Sequence, residues 1–425
     1  MRLWFTQRPT EPVLPAPQSF SSPTRVFLIA IFAALVLLKI PGVLAGRLWA
    51  EDCLFLQDAL RLPWWQALAT PHTGYIDLAA SAAMLIAIHV TDLEHVALAS
   101  VAIALFVQLC PAVLLVTSGC EWLRPRWAML TALLLVLTPP IAEEVWLSPV
   151  TSQYHLMVCT GLILAFTVRG GPIGVFRLLL LAVAGLTGPG PALAAPLFVA
   201  RACLERSLPR AIQAGVLSVG VLIEIAVFWT HPVGRHLGVS PSFLVHVIYV
   251  KHLLVPFFGP SVADGLSKMS LLEQFPLLPV ISSLLALSAL AWAVLTTRSR
   301  EVRWLCAVAL TMMVLSYFGA IGGQDLLKVY PGGRYYYAPQ VLLGLTLLGL
   351  ARTGSVIWRS LATVAVTWLL FVGIKEYRVI NPVMAQGPSW RDQVVQWRAQ
   401  PGRPIIVWPP PAFQVHPDTL RPAAP

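Results

Sequence analysis

Two adjacent carboxylates, Glu51 and Asp52, stand in the run Leu48-Trp49-Ala50-Glu51-Asp52-Cys53-Leu54-Phe55-Leu56-Gln57-Asp58, directly after the first long apolar stretch. At a membrane surface such a pair can take or order the proton of a hydroxyl beside a lipid headgroup. It suits equally well the start of a short amphipathic helix, where acidic side chains cap free N–H groups and favour the positive end of the helix dipole. Arg334 is the second candidate, in Pro331-Gly332-Gly333-Arg334-Tyr335-Tyr336-Tyr337. Glycine lets the backbone approach a ligand closely, and a guanidinium offers phosphate a two-pronged donor. Tyr and Arg also anchor span ends at the interface, but the glycine pair and the aromatic triplet together exceed what anchoring needs. Nearby Lys328 reads equally as a solvated loop charge. A third group, His231, Arg235, His236, His246, Lys251 and His252, is basic and histidine-rich. It lacks the paired spacing of a metal-ligand set. Phosphate or headgroup contact by Arg235 or Lys251 is the stronger reading, level with a lipid-facing interfacial helix.

The chain that must position these groups has 425 residues, of which 57% are apolar and 11% charged, with a mean hydropathy of +0.75. Soluble domains carry about 45–50% apolar and about 25% charged residues, so a water-soluble enzyme is excluded. The apolar residues come in continuous runs and not in the alternation a transmembrane barrel needs. The expected fold is all-α and integral to the membrane, with about 11 transmembrane helices at about 20 residues per crossing. Candidate spans cover 26–44, 95–117, 127–141, 153–168, 177–188, 190–203, 211–230, 276–297, 304–321, 337–351 and 358–374. Between 177 and 203, Gly185, Gly188, Pro189, Gly190 and Pro191 interrupt one apolar stretch, which reads as a helical hairpin with its tip at Thr187–Pro191.

The net charge of +10 is distributed as a topology signal and not as a nucleic-acid surface. With the N-terminus inside, the inner segments collect 15 of the basic residues, Arg2 to Arg359, against four acidic ones, Glu11, Glu121, Glu205 and Glu301. That asymmetry fixes a cytoplasmic segment 1–25, a polytopic domain 26–374 and an outer C-terminal tail 375–425. It also places the long loops 45–94, 142–152, 231–275 and 322–336 outside, so any chemistry faces outward. The apolar segment 78–90 is expected to lie at the outer surface, because counting it as a span would reverse the charge pattern downstream. The stretch 243–258 reads as interfacial or re-entrant. Within spans, Glu224 and Lys39 are expensive in hydrocarbon and must face protein or water. Glu224 reads as a helix-packing contact or as a coupling site in a transporter. Glu143-Glu144 reads more readily as a solvated turn than as an acceptor or metal site. The six cysteines are scattered singly and read as small core residues. In the tail, Trp390, Val394 and Trp397 share a helix face, followed by a strand-like run Pro404–Trp408; the tail is expected to pack on the outer loops.

The motifs, taken together, resemble a bacterial family of GT-C-like multi-span membrane proteins. The resemblance rests on Trp49-Ala50-Glu51-Asp52 with Phe55 to Leu60, Thr70-Pro71-His72-Thr73-Gly74-Tyr75, Val150-Thr151-Ser152-Gln153, Gly188-Pro189, Gly333 to Gln340, and the tail Trp397 to Pro411. It implies an inverting glycosyltransferase of the bacterial cytoplasmic membrane that uses a polyprenyl-phosphate-linked sugar and a glycan, lipid or protein acceptor. On that reading Asp52 is the general base, Glu51 its partner, and Arg334, Arg235 and Lys251 bind the donor phosphate. Asp58, His72, Tyr75 and Tyr335 then contact substrate. No cofactor and no nucleic acid are implied; a divalent metal held by the acidic pair stays open. This chain departs from the family after Tyr75, where Asp77 and Ala80-Ser81 replace a His and a Pro-Arg pair, and at Cys53, which replaces a common Gly. The loss of a basic pair weakens activity or moves phosphate binding elsewhere. A flippase of lipid-linked sugars and a non-catalytic carrier-binding relative are the competing readings.

Overall fold

The structure is a computed structural model that describes residues 20–40, 42–43, 46–232, 240–268, 277–317, 327–330, 332–379, 387–409 and 413–416. It is helical apart from a two-stranded ribbon in the tail, β1 (Ile405–Ile406) paired antiparallel with β2 (Gln414–Val415). Six helical stretches are long and apolar enough to cross a membrane by length and composition, the pattern of a multi-pass membrane protein: Ser22–Lys39, Val96–Val116, Leu208–Thr230, Pro241–Phe258, Leu277–Thr296 and Val356–Glu376. Of the shorter apolar helices, Arg126–Leu137 and Gly171–Gly185 overlap expected spans and Leu78–Val90 does not; Arg126–Leu137 has 12 residues, about 18 Å at 1.5 Å per residue against a hydrocarbon core of about 30 Å. Pro241–Phe258, read from the sequence as interfacial or re-entrant, is one of the six by length and composition. Its charged residue is covered by protein: Lys251 is fully buried, and its ammonium donates to the Val329 carbonyl at 2.6 Å. A π-turn over Ile248–Leu254 keeps the helix continuous there.

In chain order the helices that matter below are α1 (Ser22–Lys39), α2 (Asp52–Arg61), α3 (Trp64–Ala69), α4 (Leu78–Val90), α5 (Val96–Gln108), α6 (Cys110–Val116), α7 (Arg126–Leu137) and α8 (Ser152–Ala165). They continue with α9 (Gly171–Gly185), α10 (Pro189–Ala192), α11 (Ala195–Glu205) and α12 (Leu208–Thr230). The bundle is organised around α8, every residue of which is buried. Such a helix has no polar face and must be surrounded by others. Small residues bring the surrounding helices close. A Cβ at Gly161 would lie 2.8 Å from Leu342, and one at Gly220 of α12 would lie 2.7 Å from the backbone of Gly185 in α9.

The last carbonyls of α8 and those of the two residues that follow have no partner within the helix, and three arginines donate to them. Arg177 donates to Thr167 at 2.6 Å, Arg201 to Leu164, and Arg210 to Ile163 at 3.2 Å and Phe166 at 2.6 Å. All three are buried, and Glu205 balances two of them, at 2.7 Å from Arg201 and 3.2 Å from Arg210.

A second apolar core lies at the other end of the molecule. It joins α2, α3, α4 and the start of α5 to the tail, through Phe55, Leu56, Met84, Trp390, Val394 and Trp408. The expectation that the tail packs on the loop 45–94 agrees with this. Trp408 forms a parallel bridge to Trp49, its carbonyl accepts from the Ala50 N–H, and the Arg47 guanidinium lies 5.2 Å and 5.4 Å from the Trp49 and Trp408 rings. The tail helix Trp390–Ala399 adds an indole bond from Trp390 to the Leu93 carbonyl at 2.7 Å and a 2.5 Å ion pair from Arg398 to Glu94. The helical hairpin is also as expected, with α9 ending at Gly185 and the short α10 at the tip. Its tip is stitched to the first loop by Gly188 N–H to Ile76 O at 2.8 Å and Leu78 N–H to Leu186 O at 2.9 Å.

Candidate functional site

Between that second core and the cavity-side end of α8 lies a cavity of about 270 Å³. Five stretches distant in sequence line it: Glu51 to Tyr75 from the first loop, Val150 to Met157 from the start of α8, Pro189 to Leu193 from the hairpin tip, Leu315-Ser316, and Arg334-Tyr335. Leu54, Met157, Leu193 and Leu315 make one part of the wall apolar, while Glu51, His72, Gln153 and Arg334 make another polar. The hairpin tip can approach α8 because position 188 carries no side chain. A Cβ there would lie 2.5 Å from Gln153 Oε1, and Gly188 has φ +71°, a conformation that favours glycine.

The carboxylate pair is divided by this geometry. Asp52 has no exposed surface and does not line the cavity. Its Oδ2 accepts from the Trp49 N–H at 3.1 Å and the Ser148 hydroxyl at 2.9 Å, and its Oδ1 accepts from the Val150 N–H at 3.0 Å. The expected general base is therefore a tie between the first loop and the 142–152 loop, with no oxygen turned toward the cavity. Burial pushes its carboxyl up to about 7, against the three hydrogen bonds that favour the anion. Glu51, one residue earlier at the helix N-cap, lines the cavity instead. Its Oε2 is buried with no hydrogen-bond donor among the described residues.

Arg334 occupies the second residue of the helix Gly333–Thr353. Its backbone N–H donates to Glu144 Oε1 at 2.8 Å, and Gly333 is required because a Cβ there would lie within 1.9 Å of the Ile141 carbonyl oxygen. Glu144 is thus a tether for this segment and not a solvated turn. The Arg334 guanidinium lies over the Tyr335 ring at 5.3 Å and 3.9 Å from Glu51 Oε1. That separation exceeds a hydrogen bond, and among the described residues the guanidinium has no hydrogen-bond acceptor. Two opposite charges thus face one cavity, each with unused hydrogen-bonding capacity.

Of the residues expected to contact substrate, His72, Tyr75 and Tyr335 line the cavity, while Asp58 stands behind His72 with Oδ2 at 2.7 Å from Nε2. Residues 72–75 form a tight turn, closed by His72 N–H to Tyr75 O at 2.9 Å and Tyr75 N–H to His72 O at 3.2 Å. Both central residues have positive φ, +50° at Thr73 and +83° at Gly74, the conformation of a type I′ turn. Tyr75 also meets Gln153 Nε2 at 3.4 Å through its hydroxyl. Arg235 lies outside the described residues. Lys251 does not line the cavity; its bond to Val329 makes it an anchor for the segment that leads to Arg334. Glu224, the residue of interest to a transporter reading, accepts from the Ile76 N–H at 3.1 Å and is a packing contact between α12 and the first loop. Asp77 caps α4 through the Ala80 N–H at 3.0 Å, and burial raises its carboxyl well above the usual range. Ala80 and Ser81 are buried in α4. Among the described residues no group of three His, Cys, Asp or Glu side chains is placed to hold a metal ion.

Sequence reasoning did not single out Arg47, Ser148 or Tyr154. Burial pulls the Arg47 guanidinium down to about 10 against the opposing effect of Asp52, and its position beside Trp49 was the available signal. Ser148 carried no signal. No protein family, curated protein or solved structure matches this chain.

Proposed function

We propose that this chain is a multi-pass glycosyltransferase of a bacterial cytoplasmic membrane, GT-C-like in architecture. It moves a sugar from a polyprenyl-phosphate carrier to a surface glycan, lipid or protein. The N-terminus is cytoplasmic; the cavity, the long loops and the tail face outward. The observation that carries the reading is the unsatisfied pair in the cavity. A guanidinium with no hydrogen-bond acceptor among the described residues, only a 3.9 Å ion pair, fits the phosphate of a leaving group, and a buried carboxylate oxygen with no donor among them fits a substrate hydroxyl. The apolar part of the wall suits the first isoprene units of a lipid carrier. The volume is near the lower end of ligand sites, about 300–1,000 Å³, which favours one sugar ring with its phosphate over an extended glycan. Relative to the sequence reading, Arg334 keeps its role, Glu51 becomes the carboxylate at the substrate, and Asp52 becomes the support of both.

The experiment compares surface glycans and lipid-linked sugars by mass spectrometry in cells with and without the gene. Loss of one sugar, with its polyprenyl-phosphate donor accumulating, is expected; Asp52→Glu, Glu51→Gln and Arg334→Met are then tested for rescue. Glu51→Gln and Arg334→Met are expected to reach the membrane and fail to rescue. Unchanged glycans on deletion would overturn the reading in favour of transport or carrier binding.

A further inference from the structure

The cavity holds a second chemical device besides Glu51 and Arg334. His72 lines it, and its Nε2 lies 2.7 Å from Asp58 Oδ2. A carboxylate at that distance holds the ring proton on Nε2, which leaves Nδ1 with its lone pair. Nδ1 has no partner among the described residues. The ring cannot turn freely. Phe55 packs against it edge to face at 4.6 Å between centroids, and the backbone of His72 is locked in the turn it shares with Tyr75. The turn holds Thr73 at φ +50°, a conformation that is disfavoured for a residue with a branched Cβ. Oriented imidazole, half-buried carboxylate and local strain therefore converge on one side chain of the cavity wall.

We infer that His72 is the proton acceptor of the transfer, with Asp58 as its positioning residue. The inference rests on the reading given under Proposed function. Inverting displacement puts the incoming hydroxyl on the face of the sugar opposite the leaving group. Glu51, 3.9 Å from Arg334, orders the acceptor hydroxyl, while His72, lining the same cavity with its ring held by Asp58, takes the proton. In the step, the acceptor oxygen bonds to the anomeric carbon as the bond from that carbon to the phosphate oxygen breaks. The electron pair stays on the phosphate, facing Arg334. The hydroxyl proton passes to His72 Nδ1, and Asp58 balances the imidazolium until the proton leaves to water.

The test uses the full chain in lipid nanodiscs with the polyprenyl-phosphate sugar found to accumulate in deleted cells. His72→Gln should lower kcat roughly 10²–10⁴-fold, the usual contribution of a positioned base, with KM for the donor nearly unchanged. Asp58→Asn should lower kcat in the same direction, because an amide can donate to Nε2 and force the wrong tautomer. The double variant should fall no further than His72→Gln, since the two residues act as a unit. A second readout needs no turnover. Diethyl pyrocarbonate, which acylates unprotonated imidazole nitrogen, should modify His72 in the wild type and do so more slowly in Asp58→Asn. Full transfer by His72→Gln, with Glu51→Gln inactive, would overturn the inference and leave the glycosyltransferase reading standing. So would a His72 that stays unmodified while exposed His95 reacts. Unchanged glycans on gene deletion would remove the reading itself and this role with it.

Discussion

The two ends of α8 use arginine in opposite ways. At one end Arg177, Arg201 and Arg210 are buried against the last carbonyls of the helix and against Glu205. At the other end Arg334 stands at the cavity, part-exposed, over a tyrosine ring and 3.9 Å from a carboxylate that does not reach it. The first arrangement directs guanidinium donors to backbone carbonyls, although Arg177 Nε and Nη2 stay without a partner among the described residues, and so holds the bundle together. The second makes no guanidinium hydrogen bond to the described residues. The side chain alone does not distinguish scaffold from site; the state of its partners does. The same contrast separates Asp52, with three hydrogen bonds accepted, from its neighbour Glu51.

The comparison breaks most visibly at the closed end. Arg210→Met should strip Ile163 and Phe166 of their donor and leave Glu205 half-balanced, at about 3–5 kcal/mol for a broken buried pair. The measurement is the midpoint of thermal unfolding in detergent, or the yield of folded protein in the membrane. Arg334→Met should leave that midpoint nearly unchanged while lowering transfer by about 10²-fold or more. A large fall in stability for Arg334→Met would erase the difference between the two ends.

A smaller effect is expected at the carboxylate pair. Asp52→Ala leaves the Trp49 and Val150 N–H groups unpaired, at about 1–3 kcal/mol each, and should loosen residues 46–97, read as faster hydrogen exchange there. Glu51→Ala should leave exchange as it is. The pH dependence has a definite sign. The folded Asp52 carboxyl titrates at about 7 and the unfolded one near about 3.9, so the native state keeps a proton that the unfolded chain has already released. The contribution of this residue is fully present below about 4, falls as pH rises, and is flat above about 7. Protection of the loop, taken relative to intrinsic base-catalysed exchange, should be lower at pH 8 than at pH 5, and Asp52→Asn should flatten that difference. The smallest change is Thr73→Asn, which tolerates the left-handed conformation better and should raise the unfolding midpoint by the equivalent of up to about 1 kcal/mol.

Much of this was legible in the sequence because it depended on local pattern. Continuous apolar runs gave the helices, the Gly-Pro cluster at 185–191 gave the hairpin, and the Trp390, Val394, Trp397 spacing gave the tail helix. Glycine and aromatic clusters marked three of the five stretches that meet at the cavity. What stayed hidden depends on distant partners. Adjacent residues at a helix start point about 100° apart, and only docking on Ser148 and Val150 decides that Asp52 turns inward and Glu51 toward the cavity. The burial of Lys251 was hidden because its partner, Val329, is 78 residues away. The capping of α8 by Arg177, Arg201 and Arg210 was equally invisible, since positive charge between spans reads first as a topology signal.

The central claim is that the open arginine holds a lipid phosphate. The most direct measurement is native mass spectrometry of the full chain released from nanodiscs containing a polyprenyl phosphate, wild type beside Arg334→Met, with Arg210→Lys as a control at the closed end. The account predicts one retained polyprenyl phosphate on the wild type and on Arg210→Lys, and its loss from Arg334→Met with the protein still folded. Equal retention by wild type and Arg334→Met would contradict it.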